Sequence, residues 1–397
     1  MKILYISTLC AKSTIDDIDN RFKTCLNGVT VQKFHRLIVQ GLVANGASID
    51  TCSSIPINGT KSNFINIPDI TEDNINFHYL KVINIPILRH IWLIFGTFFY
   101  AYKWSLRYRT KKKVIICDSL NISICIGALF CKFLGQKVVG IMTDMPGLMV
   151  GGVNKGILGK IIAFVNFFVL SKFSAYVFLT EAMNERINSK HHEYIVMEGL
   201  VDIKMKDYID SKSKRHNFGV RNILYAGGLH ERYGIKLLID AFRDLKGDDL
   251  RLIIYGHGTM AKEMQYYQKL DSRIEFYGLR PNEEVVEKEM ESTLLVNPRP
   301  THEEFTKYSF PSKNMEYMVS GTPLLTTRLP GMPKDYYDYV YLFEEETVEG
   351  YTRLLSIILS KDYEELSRKG LEAQKWILGH KNNIIQTSRI IELINKI

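Results

Sequence analysis

Apolar positions along this chain follow two periods that alternate. Lys2 to Ser7 is a β-rich run. "VTVQKFHRLIVQGLVANG" then spaces Val31, Phe34, Leu37, Ile38 and Leu42 as one face of a helix. Asn45-Gly46 stops that helix, and "ASIDTCSSI" is a second short strand. The polar, charged stretch from Lys12 to Asn27 reads as a long loop. "KVIICD" at 113–118, "KVVGIMTD" at 137–144 and "AYVFLT" at 175–180 are further strand-length runs, the first two ending in Asp. Helical segments separate them, which predicts a parallel sheet covered on both faces.

The pattern restarts in the second half. "RNILYAGG" at 221–228 is strand then Gly turn, and "GIKLLIDAFRDL" is an amphipathic helix. "LRLIIYGHG" repeats the strand and Gly turn, and "RIEFYG" and "TLLVNP" are two more strands. "SKNMEYMVSG" reads as helix and "TPLLTT" as strand. From about Ser360 the chain reads as helical. The fold class is therefore α/β, with a doubly wound unit in each half. "KMKDYIDSKSKRHN" at 204–217 lacks apolar periodicity and is the predicted linker.

Length agrees: 397 residues suggest about two domains. A composition of 46% hydrophobic and 24% charged residues excludes disorder and collagen-like structure. The formal charge of +8 fits phosphorylated substrates, an anionic membrane surface or nucleic acid, without choosing among them. None of the six cysteines forms a CxxC pair, so a zinc ribbon or redox motif is not expected. Cys117, Cys125 and Cys131 read as small buried hydrophobes in a reducing cytosol. "MKILYIST" has too short an apolar run, and no small-residue cleavage site, for a signal peptide. No stretch reaches the roughly 18 to 20 apolar residues that span a bilayer.

Candidate chemistry lies where open parallel sheets bind ligands, beyond the carboxyl ends of the strands. Gly227-Gly228 and Gly256/Gly258 sit at such ends. "YSFPSKNMEYMVSG" at 308–321 is more specific. Ser312 is a good N-cap, and a helix start with roughly half a positive charge attracts phosphate. Lys313 adds a full charge there, and Glu316 suits two ribose hydroxyls. The same residues also make an ordinary cap. Asp144, ending the strand before "MPG", can orient a reacting hydroxyl or simply serve the turn. Asp118 in "ICDS" reads as a helix N-cap.

"YAGGLHERYGIKLLIDAF", "LRLIIYGHG", "RIEFYG", "LLVNPRP" and "YSFPSKNMEYMVSGTPLLTT" occur in that order. Over about 221–330 this resembles the motif series of retaining glycosyltransferases of family 4. The first half resembles it in outline, through strand one, an Asn27-Gly28 turn before a helix, and "FLTEAMNERI" before "MEGLVDI". The resemblance implies the GT-B fold, two Rossmann-like domains facing across a cleft. Residues 1–203 would bind the acceptor and 204–375 the nucleotide sugar, and 376–397 would be a helix returning to the N-terminal domain. It implies a same-face displacement with retention, in which the leaving diphosphate helps deprotonate the acceptor. No bound metal or other cofactor is implied, and the chain shows no DxD-like site in convincing context.

The resemblance also distributes roles. Glu316 matches the ribose-binding glutamate, while its usual partner seven residues earlier falls on Tyr308. Glu303 and Glu304 lie just upstream, and Glu304 is the candidate to replace it near the donor sugar. The usual Arg and Lys for the diphosphate fall on Gly228 and Tyr233. Arg232, Arg299 and Lys313, with Ser312 at the helix mouth, are the candidates to supply that contact. Asp144 is the catalytic candidate on the other domain, with Asn27 and Gly28 on the acceptor side.

"ILRHIWLIFGTFFYAYKWSLRYRTKKK" and "GILGKIIAFVNFFVLSKF" at 156–173 join apolar faces to Lys and Arg. They read as interfacial helices on an anionic membrane, or alternatively as core helices. The expectation is a cytoplasmic enzyme, peripheral on the inner membrane face. It would use a lipid-linked or other glycan acceptor in surface-polysaccharide assembly, with no nucleic-acid partner. The alternatives are a non-catalytic GT-B subunit stabilising a partner transferase and a nucleotide-sugar epimerase of the same fold.

Overall fold

The structure is a computed structural model and describes residues 1–22, 30–55, 57, 63–146, 156–211 and 219–397. The chain forms two compact units, Met1–Leu200 with Asn383–Ile397, and Val201–Asn382.

The first unit contains β1 (Lys2–Ser7), β2 (Ser48–Ser53), β3 (Phe64–Ile65), β4 (Ile70–Glu72), β5 (Ile75–Tyr79) and β6 (Val82–Ile83). It continues with β7 (Lys113–Asp118), β8 (Val138–Met142), β9 (Ala175–Phe178) and β10 (Tyr194–Val196). Its main sheet has the order β10-β9-β8-β7-β1-β2-β5-β4. Every pairing is parallel except that of the edge strand β4 with β5. β3 and β6 form a separate antiparallel pair. All six residues of β1 are buried, as a central parallel strand requires. Its Ile3 and Tyr5 join the core beneath the Thr30–Ala44 helix, while Leu4 and Ile6 are buried outside that cluster.

The second unit contains β11 (Arg221–Ala226), β12 (Leu250–Tyr255), β13 (Ile274–Gly278), β14 (Leu294–Asn297), β15 (Leu324–Thr327) and β16 (Tyr341–Phe343). The order is β13-β12-β11-β14-β15-β16, all parallel. Strand order reverses between β11 and β14, and in the first unit between β1 and β7. Ligands of doubly wound sheets sit outside the carboxyl ends at such reversals.

Three expectations need correction. Lys12–Phe22 is a helix rather than loop, because Ile15 and Ile18 make a narrow buried stripe on an otherwise polar surface. The last helix belongs to the first unit only from Asn383, not from 376. Trp376 and Ile377 lie on the preceding Tyr363–His380 helix and are buried in the second unit's core. The other boundary falls at Leu200–Val201 rather than at 203–204. Val201 pairs with Asn382 and donates its N–H to Lys381 O at 3.0 Å, which ties it to the second unit.

The Asn383–Lys396 helix lies directly on Thr30–Ala44. A Cβ on Gly41 would come 2.2 Å from Asn383 O, so only glycine permits this crossing. Asn45 Nδ2 donates to Ile384 O at 2.8 Å and to Thr387 Oγ1 at 3.0 Å. Gly41→Val is therefore expected to destabilise the protein by about 1–3 kcal/mol through overpacking. A lower midpoint in thermal circular dichroism checks it.

Candidate functional site

The loops after β11 and β12 press on each other. A Cβ on Gly256 (φ +136°) would meet Gly227 O at 1.9 Å, and one on Gly258 would meet Leu229 O at 2.3 Å. The second glycine pair thus serves backbone packing. Tyr225 Oη donates to Gly228 O at 2.7 Å and fixes the first loop. A Cβ on Gly228 would lie 2.9 Å from the Tyr233 ring. Tyr233 therefore occupies the space that a side chain at 228 would need, so the two positions are in steric contact.

Two arginines gather around these rings. The Arg299 guanidinium, just past β14, lies 4.8 Å over Tyr233 and 5.5 Å from the centre of Phe305. Arg232, on the short turn after β11, lies 4.3 Å over Phe305 and 3.3 Å from Glu303 Oε2. The Nε atoms of both arginines are buried without a hydrogen-bond partner among the described residues. Arg232 still has its carboxylate. The Arg299 guanidinium has no hydrogen bond or ion pair among the described residues. Burial pulls its pKa below the usual arginine value, and Arg232 adds to the shift against Tyr225 and Tyr233. A desolvated cation without a counterion is costly and is a place built for an anion.

The Ser312–Ser320 helix begins at the same edge. Its N-cap position is Pro311 and no side chain caps it, so Ser312 is its exposed first residue rather than the expected cap. The Pro ring fixes the extended backbone that a cap position needs, which moves the boundary by one residue. Tyr317 Oη accepts from Ala226 N at 2.7 Å, and Asn314 Oδ1 accepts from Asn297 Nδ2 at 2.6 Å. These bonds lock the helix to the ends of β11 and β14. Lys313 Nζ lies 2.7 Å from Glu316 Oε2 and 3.3 Å from Oε1 of Glu289, whose side chain is 0% exposed. Burial would lower the Lys313 pKa, but Glu289 and Glu316 outweigh it and hold it above its ordinary value. Lys313 is thus a cation between two carboxylates. Glu304 is exposed at the start of the Glu304–Lys307 turn, and it is Glu303 that meets Arg232.

In the first unit, Asp144 follows β8. Burial raises its pKa to about 6, a Thr143 hydrogen bond opposes that rise, and the Asp118 carboxylate adds a smaller push upward. Asp118 is not a helix cap, because Asn121 Oδ1 takes that role by accepting from Ser123 N at 3.0 Å. Asp118 Oδ2 lies instead 3.3 Å from His35 Nε2, both side chains fully buried. His35 Nδ1 is 2.7 Å from Tyr5 Oη. This Tyr5–His35–Asp118 chain sits at the β1/β7 reversal and was not anticipated. Its signal was a histidine in the apolar stripe that runs Val31, His35, Ile38, Leu42. Asn27 and Gly28 lie outside the described residues. Among the described residues, no group of three His, Cys, Asp or Glu side chains could hold a metal ion.

Residues 220–361 match the family described as Glycosyl transferases group 1. That stretch is a group 1 glycosyltransferase domain. No curated protein matches the chain's sequence. Its fold is GT-B, as in an Escherichia coli trehalose-6-phosphate protein bound with UDP-2-fluoro glucose, at 10% identity and a TM-score of 0.68. Coverage there is 100% of this chain and 99% of that one. Anabaena Alr3699/HepE in complex with UDP has 12% identity and a TM-score of 0.60, with 100% of both chains covered. The lipopolysaccharide outer core galactosyltransferase WaaB, in its apo form, has 14% identity and a TM-score of 0.58, covering 100% of this chain and 99% of that one. The expected fold class and enzyme class are thereby borne out. No helix among the described residues is long and apolar enough to cross a membrane.

Proposed function

We propose that this glycosyltransferase moves a sugar from a nucleoside-diphosphate donor to a glycan acceptor with retention of configuration. The observation that carries the reading is Arg299, a guanidinium with no ion pair or hydrogen bond among the described residues, stacked on Tyr233 at the β11/β14 reversal. With Arg232 it supplies the positive charge that Gly228 and Tyr233 lack, where negative charge grows on the departing diphosphate. The helix start at Ser312 adds N–H donors. Lys313 serves chiefly to hold Glu316, which accepts the ribose hydroxyls. Asp144, ionised above about pH 6, accepts a hydrogen bond from the attacking hydroxyl. No step in this scheme calls for a metal. Surface-polysaccharide assembly on a lipid-linked acceptor belongs to the same reading, and the likeness to a lipopolysaccharide galactosyltransferase fold supports it.

Calorimetric titration with a panel of nucleoside diphosphates tests the donor site. Absence of binding to every member, well above millimolar concentration, would sink the proposal. Glu316→Ala is expected to weaken the bound member by about tenfold or more, two hydrogen bonds to a charged acceptor being lost. Its melting temperature should hold, since Lys313 keeps Glu289. The non-catalytic reading rested on the changes at 228, 233 and 308. The arginine pair offers a substitute cation for the first two. Nucleotide binding without any glycosyl product across nucleotide sugars and acceptors would revive it.

A further inference from the structure

Three helices of the first unit expose a broad apolar surface among the described residues. The Pro86–Arg107 helix buries Leu93, Thr97, Ala101 and Trp104 on one side, and Trp104 Nε1 donates to the buried Asp50 at 2.7 Å. Its opposite side carries Ile87, Ile91, Phe95 and Phe99 at intervals of four, Ile87 being 77% exposed. The Ile122–Phe130 helix packs against it, so closely that a Cβ on Gly127 would meet Ile94 O at 2.5 Å. The turn after that helix presents Phe133, 86% exposed. The Ile157–Leu170 helix packs on the other flank and presents Ile157, Ile161, Phe164 and Phe168, with Phe164 71% exposed. The three outer stripes belong to neighbouring helices. Such a face is far larger than the scattered apolar residues normal on a soluble surface.

Charge identifies the occupant. Between Asp73 and Glu181 the chain carries thirteen Lys and Arg residues and only two acids, Asp118 and Asp144, although its overall charge is +8. Asp118 is buried and Asp144 half-buried, so neither offsets the rim. Lys103, Arg107, Arg109, Lys111 and Lys160 on or beside these helices are exposed. A second copy of this face would bring two basic rims together. A bilayer containing anionic lipid satisfies both features, since apolar side chains enter the acyl boundary while basic ones meet headgroups.

We propose that this three-helix face seats the enzyme on an anionic bilayer, lying on it and not crossing it. The proposal is independent of the donor-site reading, because vesicle binding is read without turnover. The full chain is sedimented with vesicles of phosphatidylcholine alone, or with phosphatidylglycerol added. Binding is expected only with phosphatidylglycerol, and falls as salt is raised. Phe164→Asp with Phe168→Asp should cut partition by about tenfold or more. Lys103→Gln, Arg107→Gln and Lys160→Gln together should do the same, each basic group being worth about fivefold at such a surface. All of these positions are exposed, so an unchanged circular-dichroism melt and unchanged nucleotide binding keep the comparison clean. Equal binding of wild type and both variants would overturn the proposal. So would a wild-type dimer in light scattering that the Phe variants dissolve, without vesicle binding.

Discussion

Arg299→Met should lower kcat/KM by about 100-fold or more while leaving the protein no less stable. The first half follows from a guanidinium aimed at the leaving diphosphate, where loss of one preorganised donor typically costs about 10²–10³ in rate. The second follows from its setting. Two contributions oppose each other when the charge is removed. The stacks on Tyr233 and Phe305 are lost, worth up to about 2 kcal/mol when desolvated. The penalty for a buried charge without a counterion is relieved, worth several kcal/mol. The second is larger, so the melting temperature holds or rises. Arg232→Met should cost less activity, because its charge is already shared with Glu303. Arg299→Lys should rescue poorly, since an ammonium neither stacks flat on Tyr233 nor binds a phosphate in two places. Steady-state kinetics and thermal melts of the three variants check this. A destabilised Arg299→Met with normal kcat/KM would mean that the arginine only packs the rings.

Much of the second unit was legible because its signals are local. A strand followed by two glycines, repeated in order and followed by a proline-led helix, announces a parallel sheet and its carboxyl edge. The helix start and Glu316 were readable for that reason. Pairings between distant segments were not. Nothing near Lys313 in sequence shows that Glu289, twenty-four residues earlier, lies beneath it. Gly228 and Tyr233 looked like two losses, and only the approach of ring to backbone shows that a side chain at 228 would crowd the Tyr233 ring. Likewise Asp118 resembled a cap because Ser and Asn follow it. Its partner His35 lies on another helix, and Asn121 three residues on takes the cap. Amphipathic helices with very narrow stripes, such as Lys12–Phe22, are also lost to a polar average.

Asp144 allows the sharpest separation of a catalytic from a turn role, because ionising it sets stability against activity. Its folded pKa of about 6 stands above the ordinary 3.8. Between these values the native protein holds a proton that the unfolded chain has released. The favourable contribution of the neutral form is therefore complete below pH 3.8 and is lost as pH rises through about 6. Above that, keeping this half-buried carboxylate charged costs up to about 3 kcal/mol. Asp144→Asn cannot ionise. It should gain about 1–3 kcal/mol over wild type at pH 8, and the gain should vanish below pH 4. Denaturant titrations across that range measure it. A carboxylate that accepts the acceptor's hydrogen bond must be ionised, so wild-type kcat/KM should fall on the acid side with an apparent pKa near 6. Asp144→Asn should lose that limb and about 10²–10⁴ in rate. A variant that gains stability at pH 8 yet keeps full activity would leave Asp144 as a turn residue. The acceptor's base would then have to be sought elsewhere, starting with the leaving diphosphate itself.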